Sequence, residues 1–126
     1  MSYALGERSQ RNLEGVHPDL VSVVKRAIGI TKQDFMVIEG MRSLERQKQL
    51  LAEGKSKTMN SRHLTGHAVD LCPYPVDWND ADKFVAISEA MKEAAKELDI
   101  PLEWGGDWKN GWDKPHYQLP HSEYPK

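Results

Sequence analysis

Hydrophobic residues in the first quarter of the chain recur three and four positions apart, which is the spacing of an amphipathic helix. Pro18 suits the first turn of such a helix and Asp19 suits its positive end, so we expect the helix to begin there. The apolar stripe stops at Gly29 and consists of Leu20, Val23, Val24, Ala27 and Ile28.

Two further helices are predicted. Residues 44–53 follow Ser43, a favourable helix cap, and precede Gly54, a favourable helix stop; Leu50 and Leu51 are expected to face inward. The longest helix begins after a cap at position 79 or 80. Its expected inner face consists of Phe84, Ile87, Met91, Ala94, Ala95 and Leu98.

Short β-prone segments separate these helices. Residues 35–38 are apolar and closed by Gly40, and residues 68–72 are followed by two prolines. Two brief extended pieces, 102–104 and 116–119, flank a glycine-rich loop, and the polar residues 54–62 are expected to form a mobile loop. Because the strands are short and alternate with helices, we predict an α+β fold with a small antiparallel sheet.

Composition narrows the possible functions. The chain has 126 residues, the size of one domain, and its longest apolar runs are four residues, far short of a membrane span. The N-terminus has no signal-peptide pattern, so neither membrane insertion nor Sec export is expected. A net charge of −2 argues against general nucleic-acid binding. The single cysteine, Cys72, excludes an internal disulfide and is expected to be a small buried residue.

Two clusters of polar residues, 61–70 and 113–118, lie beside predicted strand ends. Two imidazoles and a carboxylate form the ligand set of a catalytic zinc ion with an open fourth position. Asp113 precedes His116 by three residues, close enough to hold and deprotonate a water whose pKa the metal lowers to about 7. Asp113 could instead be only a turn residue before Pro115, but its position three residues before His116 favours the functional interpretation.

The two clusters contain the motifs Ser61-x-His63-x-x-Gly66-x-Ala68-x-Asp70 and Asp113-x-Pro115-His116-x-Gln118. These motifs resemble those of the zinc D,D-carboxypeptidase/VanY-type peptidase superfamily, and within it of the phage endolysin branch of L-alanyl-D-glutamate peptidases. The resemblance spans residues 12–119 and includes an arginine segment at 40–47 and a helix start at 15–20.

The resemblance implies a role for each motif residue. His63, Asp70 and His116 would bind Zn²⁺, and Asp113 would be the general base, where the dipeptidase branches carry glutamate. Arg42 would face the substrate carbonyl and help stabilise the oxyanion. The implied fold is a small antiparallel sheet packed with helices, Hedgehog/D-Ala-D-Ala peptidase-like.

The implied function is hydrolysis of the L-alanyl-D-glutamate bond in bacterial peptidoglycan by a phage endolysin. Residues 1–126 would form one zinc peptidase domain, expected to be monomeric, with no room for a separate wall-binding module. The enzyme would accumulate in the host cytoplasm until the membrane is permeabilised, and then act on the periplasmic wall. The alternatives are a D,D- or L,D-carboxypeptidase and a non-catalytic, zinc-stabilised wall-binding domain.

Several residues keep a structural interpretation beside a functional one. Arg42 could instead form a surface salt bridge with Glu39 or Glu45, and His67 is expected to pack beside the ligands rather than bind the metal. Ser61 is interpreted as a loop residue, His17 as a helix-start residue and His121 as a tail residue. Substrate contact and core support are both open for Trp104, Trp108 and Trp112, and a solvated basic face is expected for Lys55, Lys57 and Arg62.

Overall fold

Four short antiparallel strands form one sheet. The computed structural model describes residues 3–54, 62–108, 111, 113–120 and 122–124. The strand order across the sheet is β1-β2-β4-β3, so β2 and β4 are its two central strands. Their bounds are Phe35–Glu39 for β1, Ala68–Pro73 for β2, Glu103–Trp104 for β3 and His116–Gln118 for β4.

The predicted helices are confirmed, with their caps. The imidazole of His17 accepts a hydrogen bond from the backbone N–H of Asp19, Ser43 caps its helix through Arg46, and position 80 caps the longest helix. In the described residues, no helix is long and apolar enough to cross a bilayer. The α-helices are α1 (Glu7–Asn12), α2 (Pro18–Ile30), α3 (Leu44–Ala52) and α4 (Ala81–Leu98).

Helix α1 was not predicted, because polar contacts rather than an apolar stripe hold it in place. Ser9 Oγ accepts a hydrogen bond from the backbone N–H of Val37 at 2.9 Å, and Asn12 Nδ2 donates to the Val37 carbonyl at 2.8 Å. Both backbone groups belong to the edge strand β1, so α1 covers an edge that would otherwise be open.

The hydrophobic core lies between one face of the sheet and helices α2 and α4. Successive strand residues point to opposite faces of a sheet, so the residues between the core positions face away from these helices. Asp70 lies between the buried residues Val69 and Leu71, and it pairs with His116 across β2 and β4. The alternation therefore places both candidate ligands on the sheet face opposite the core.

Two leucines of the predicted inner faces are exposed, which corrects the sequence interpretation. Leu51 follows the buried Leu50, and successive helical residues point about 100° apart, so both cannot face the same core. Leu98 is the last residue of α4, beyond the stretch that packs on α2 and the sheet. The buried positions predicted for Phe84, Ile87, Met91, Ala94, Ala95 and Cys72 are confirmed.

Arg62 was predicted to belong to a solvated basic face, and this was wrong. Its side chain is only 4% exposed and donates hydrogen bonds to the carbonyls of Leu119 and Tyr124, at 2.7 and 2.8 Å. The Arg62 side chain thus provides hydrogen bonds for two backbone carbonyls instead of facing water. Lys55 and Lys57 lie outside the described residues, as do Ser61, Trp112 and His121.

Gly66, which lies just before β2, has a backbone that an L-residue tolerates poorly. Its φ is +76°, and a Cβ there would lie 2.4 Å from the carbonyl oxygen of Gly15. Gly54 has almost the same φ, +75°, but a Cβ at that position would meet nothing within 4 Å. A substitution at Gly54 therefore adds backbone strain alone, whereas the same substitution at Gly66 adds backbone strain and steric overlap.

We expect Gly54→Ala to lower the free energy of unfolding by about 1–2 kcal/mol, because only the left-handed backbone becomes strained. Gly66→Ala should lose a further 1–3 kcal/mol, roughly, because its Cβ also meets backbone. Urea unfolding of the two variants measures both losses. Equal losses would show that the contact between Gly66 and Gly15 does not constrain the fold.

Candidate metal centre

His63, Asp70 and His116 converge at one point on the sheet. His63 comes from a short 3-10 turn, Arg62–Thr65, that leads into β2, and the other two lie opposite each other on β2 and β4. Asp70 Oδ1 is 3.3 Å from His63 Nε2 and 3.2 Å from His116 Nδ1. Tetrahedral zinc with bonds of about 2.0–2.1 Å would separate its ligand atoms by roughly 3.3 Å, which both distances from Asp70 match. The three donor atoms all lie within 4.8 Å of one another.

The tautomer of His63 is set by a backbone carbonyl. Its Nδ1 lies 2.8 Å from the carbonyl oxygen of Gly40, which can only accept a hydrogen bond. Nδ1 therefore carries the proton, and the lone pair of Nε2 faces Asp70. The ring is 3% exposed, so its orientation is held by the surrounding protein.

At His116 the nitrogen that faces Asp70 is Nδ1, and a relay of hydrogen bonds that the sequence did not predict sets this arrangement. Gln118 Nε2 donates to a carboxylate oxygen of Glu103 at 3.2 Å, so its Oε1 is the atom that faces His116. His116 Nε2 lies 2.8 Å from this Oε1 and must donate to it, which leaves the Nδ1 lone pair for Asp70. Gln118 is two residues from His116 on β4, and this spacing was the available sequence signal.

With both imidazoles neutral, three acceptor atoms face one another, and either a proton or a metal ion can bridge them. Burial alone would raise the pKa of Asp70, but the contacts with His116 and His63 outweigh burial and hold the pKa well below its usual range. Burial acts to lower the pKa of His116, but the Asp70 contacts raise it overall. The cluster attracts positive charge, and its donor set of imidazoles and a carboxylate could hold a divalent metal.

Asp113 precedes His116, the third candidate ligand, in a tight turn that two contacts support. The backbone N–H of His116 donates to the Asp113 carbonyl at 3.1 Å, and a Cβ on Gly105 would lie 2.1 Å from that oxygen. Burial raises the pKa of the Asp113 carboxyl, and Asp70 raises it further, while the charges of His116, His63 and Arg42 lower it. Asp113 is therefore within electrostatic reach of the whole cluster.

Arg42 is not part of a surface salt bridge. It is 9% exposed and forms two hydrogen bonds with Glu39, both 2.7 Å long, and a third with Gln47 Oε1, also 2.7 Å. Glu39 is one of the two acidic residues that the sequence offered as a partner of Arg42, but the pair is largely buried rather than at the surface. Its place beside the cluster follows from its backbone N–H, which donates to the His63 carbonyl at 2.8 Å.

Two of the tryptophans have different environments. Trp104 is buried and its indole N–H donates to the Lys114 carbonyl at 2.7 Å, so it supports the turn that carries Asp113. The ring of Trp108 lies beside the His116 ring, with 5.3 Å between centroids. His67 hydrogen-bonds Thr65 at 2.6 Å and lies outside the three-residue metal group found among the described residues.

Comparison with solved structures identifies the fold class. The crystal structure of the Serratia marcescens L-Ala D-Glu endopeptidase ChiX matches with a TM-score of 0.89 and 46% sequence identity, covering 95% of this chain and 92% of that chain. The vancomycin-resistance D,D-dipeptidase VanXYg matches with a TM-score of 0.53 and 20% identity over 86% of this chain and 53% of that one, which shows a shared fold alone. The predicted D-Ala-D-Ala peptidase-like α+β fold is confirmed.

Sequence comparison then identifies the family. The family model described as phage L-alanyl-D-glutamate peptidase matches residues 1–120. The L-alanyl-D-glutamate peptidase of Escherichia phage T5 is 37% identical over 119 residues, which are 90% of this chain and 87% of that protein. The chain therefore belongs to the phage L-alanyl-D-glutamate peptidase family, as the two metal motifs indicated.

Loss of the amide at position 118 should weaken metal binding without removing a ligand. In Gln118→Leu the His116 ring loses the acceptor that selects its tautomer, and partners of this kind are worth about 10–100-fold in metal affinity. Competition of the variant with a zinc-sensitive chelating dye measures the dissociation constant. Gln33→Leu makes the same change at a glutamine outside the relay and serves as the control. Unchanged zinc affinity in Gln118→Leu would contradict the relay.

Proposed function

We propose that the chain is a zinc-dependent endopeptidase that hydrolyses the L-alanyl-D-glutamate bond of the peptidoglycan stem peptide, as a phage endolysin in host cell lysis. The observation that carries the proposal is the convergence of three acceptor atoms, from His63, Asp70 and His116, beside the partly buried carboxyl of Asp113. Membership of the family and the similarity to two proteins named for this bond support the same substrate.

In this proposal each residue at the site has one task. A zinc ion held by His63 Nε2, Asp70 Oδ1 and His116 Nδ1 would supply a Lewis acid that acidifies the attacking water and polarises the scissile carbonyl. Asp113 takes the proton from the attacking water and returns it to the leaving amine; its raised pKa favours holding that proton in between. Arg42 donates hydrogen bonds to the carbonyl oxygen as negative charge develops there.

The remaining parts of the proposal concern the whole protein. Residues 1–126 act as one monomeric catalytic domain whose macromolecular partner is peptidoglycan, and the net charge of −2 supports the absence of a nucleic-acid partner. The family's phage origin supports accumulation in the host cytoplasm followed by action on the periplasmic wall once the membrane is permeabilised.

The test is mass spectrometry of fragments released from purified peptidoglycan, with a chelator and with added zinc. The expected result is chelator-sensitive release of peptides that begin with D-glutamate, because an internal cut leaves L-alanine on the muramic acid. Release of a single terminal D-alanine would replace the proposal with a carboxypeptidase. Zinc binding with no cleavage would favour a zinc-stabilised binding domain.

Asp113→Asn should remove the proton acceptor while keeping the size and shape of the side chain. We expect kcat to fall by about 10²–10⁴-fold with zinc content unchanged. Asp107→Asn is the matched control, because Asp107 is exposed and pairs with Lys92 on α4. The rates of both variants on purified stem peptide, together with their zinc content, provide the measurement; a near-wild-type rate for Asp113→Asn would remove Asp113 from the mechanism.

A further inference from the structure

Strand β1 contains an irregularity at the end that approaches the metal cluster. Its residues pair one-to-one with β2 as far as Val37, which lies opposite Leu71. The next pair is Glu39 with Asp70, so Ile38 is an extra residue in β1 and the register shifts there. Bulges of this kind re-aim side chains beside active sites.

The consequence of the bulge is the face on which Glu39 lies. Residues directly opposite each other in an antiparallel pair point to the same side of the sheet. Strict alternation would send Glu39 to the same side as Val37, into the core. Pairing with Asp70 instead places Glu39 on the face that carries the metal ligands.

There Glu39 holds the guanidinium of Arg42 by both of its carboxylate oxygens. Oε1 accepts from Nε and Oε2 from the second terminal nitrogen, each at 2.7 Å, which is the bidentate geometry of a strong pair. Gln47, whose side chain is fully buried on α3, accepts from the other terminal nitrogen at 2.7 Å. The plane of the guanidinium is thus fixed from two sides.

The same segment is tied to a candidate metal ligand through the backbone. The Arg42 N–H donates to the His63 carbonyl at 2.8 Å, and the His63 ring donates from Nδ1 to the Gly40 carbonyl at 2.8 Å. These reciprocal bonds set the distance between Arg42 and His63. Glu39 and Gln47 then set the direction in which the guanidinium points.

We propose that Glu39 is a positioning residue, which aims the guanidinium of Arg42 at the oxygen of the scissile carbonyl. The inference rests on the proposed function and deepens it. A carboxylate is suited to this task because its two oxygens match the planar fork of an arginine, whereas a single acceptor would leave the group free to rotate.

The decisive variant is Glu39→Gln, which keeps the shape of the side chain but replaces one accepting oxygen with a donating amide. Since a misplacement of about 1 Å can reduce a rate 10²-fold, we expect a fall in kcat of roughly that size. KM should change little, because Arg42 acts on charge that develops only in the transition state. Zinc affinity should stay within about threefold, because the Glu39 carboxylate hydrogen-bonds Arg42 and supplies no proposed ligand atom.

The chain provides a matched control in a second arginine–glutamate pair. Arg26 on α2 and Glu97 on α4 are bridged at 2.7 and 3.3 Å, but their side chains are 49% and 40% exposed. Glu97→Gln makes the same chemical change away from the site and should leave kcat unaltered. Glu39→Asp is the second variant and covers the case in which Glu39→Gln impairs folding, because it keeps the negative charge beside Arg42. Its shorter side chain should also lower kcat.

A double-mutant cycle with Arg42→Ala distinguishes positioning from general structural support. If Glu39 acts through Arg42, Glu39→Gln should cause no further loss of kcat in the Arg42→Ala background. Additive losses, a wild-type kcat in Glu39→Gln and Glu39→Asp, or a parallel loss of zinc affinity would each overturn the inference. A wild-type protein that fails to cut the L-alanyl-D-glutamate bond would instead refute the proposed function itself.

Discussion

The candidate metal cluster depends on the pairing of two central strands, β2 and β4, in one register. Because Asp70 lies directly opposite His116, a carboxylate and an imidazole from residues 46 positions apart in the chain meet without any contribution from a flexible loop. A shift of one residue would turn Asp70 toward the core, where an unpaired carboxylate is strongly unfavourable. The apolar residues on either side, Val69 and Leu71, are fully buried and make that shift costly.

Hydrogen bonds behind the two histidines determine which nitrogen of each ring carries the proton. Two acceptors, the backbone carbonyl of Gly40 and the side-chain Oε1 of Gln118, each accept a hydrogen bond from the N–H of one imidazole. The two histidines therefore present different nitrogens, Nε2 and Nδ1, to the same point. Both atoms that select the tautomers are neutral acceptors, and the Glu103 carboxylate acts on His116 only through Gln118.

Much of the fold, and the residues that meet in the candidate site, could be predicted, since both are encoded in local patterns. Three helices with their caps, four short strands and the family were identified from spacing and motifs. Glu39 was one of the two acids considered as a partner of Arg42, but its enclosure beside the site could not be predicted. That placement depends on a bulge in the pairing of β1 with β2, and the pair of Glu103 with Gln118 likewise joins distant segments. The prediction that Arg62 faces solvent was wrong for the same reason. No local pattern reveals that this side chain will donate to the carbonyls of Leu119 and Tyr124.

The short helix α1 has a consequence beyond the fold. By bonding both backbone groups of Val37, it leaves no template there on which a strand from another molecule could add, and the opposite edge strand, β3, is only two residues long. Both margins of the sheet are therefore poorly suited to intermolecular β-pairing. Such protection lowers the tendency of a β-containing protein to aggregate at high concentration, which is consistent with the accumulation before lysis that we propose.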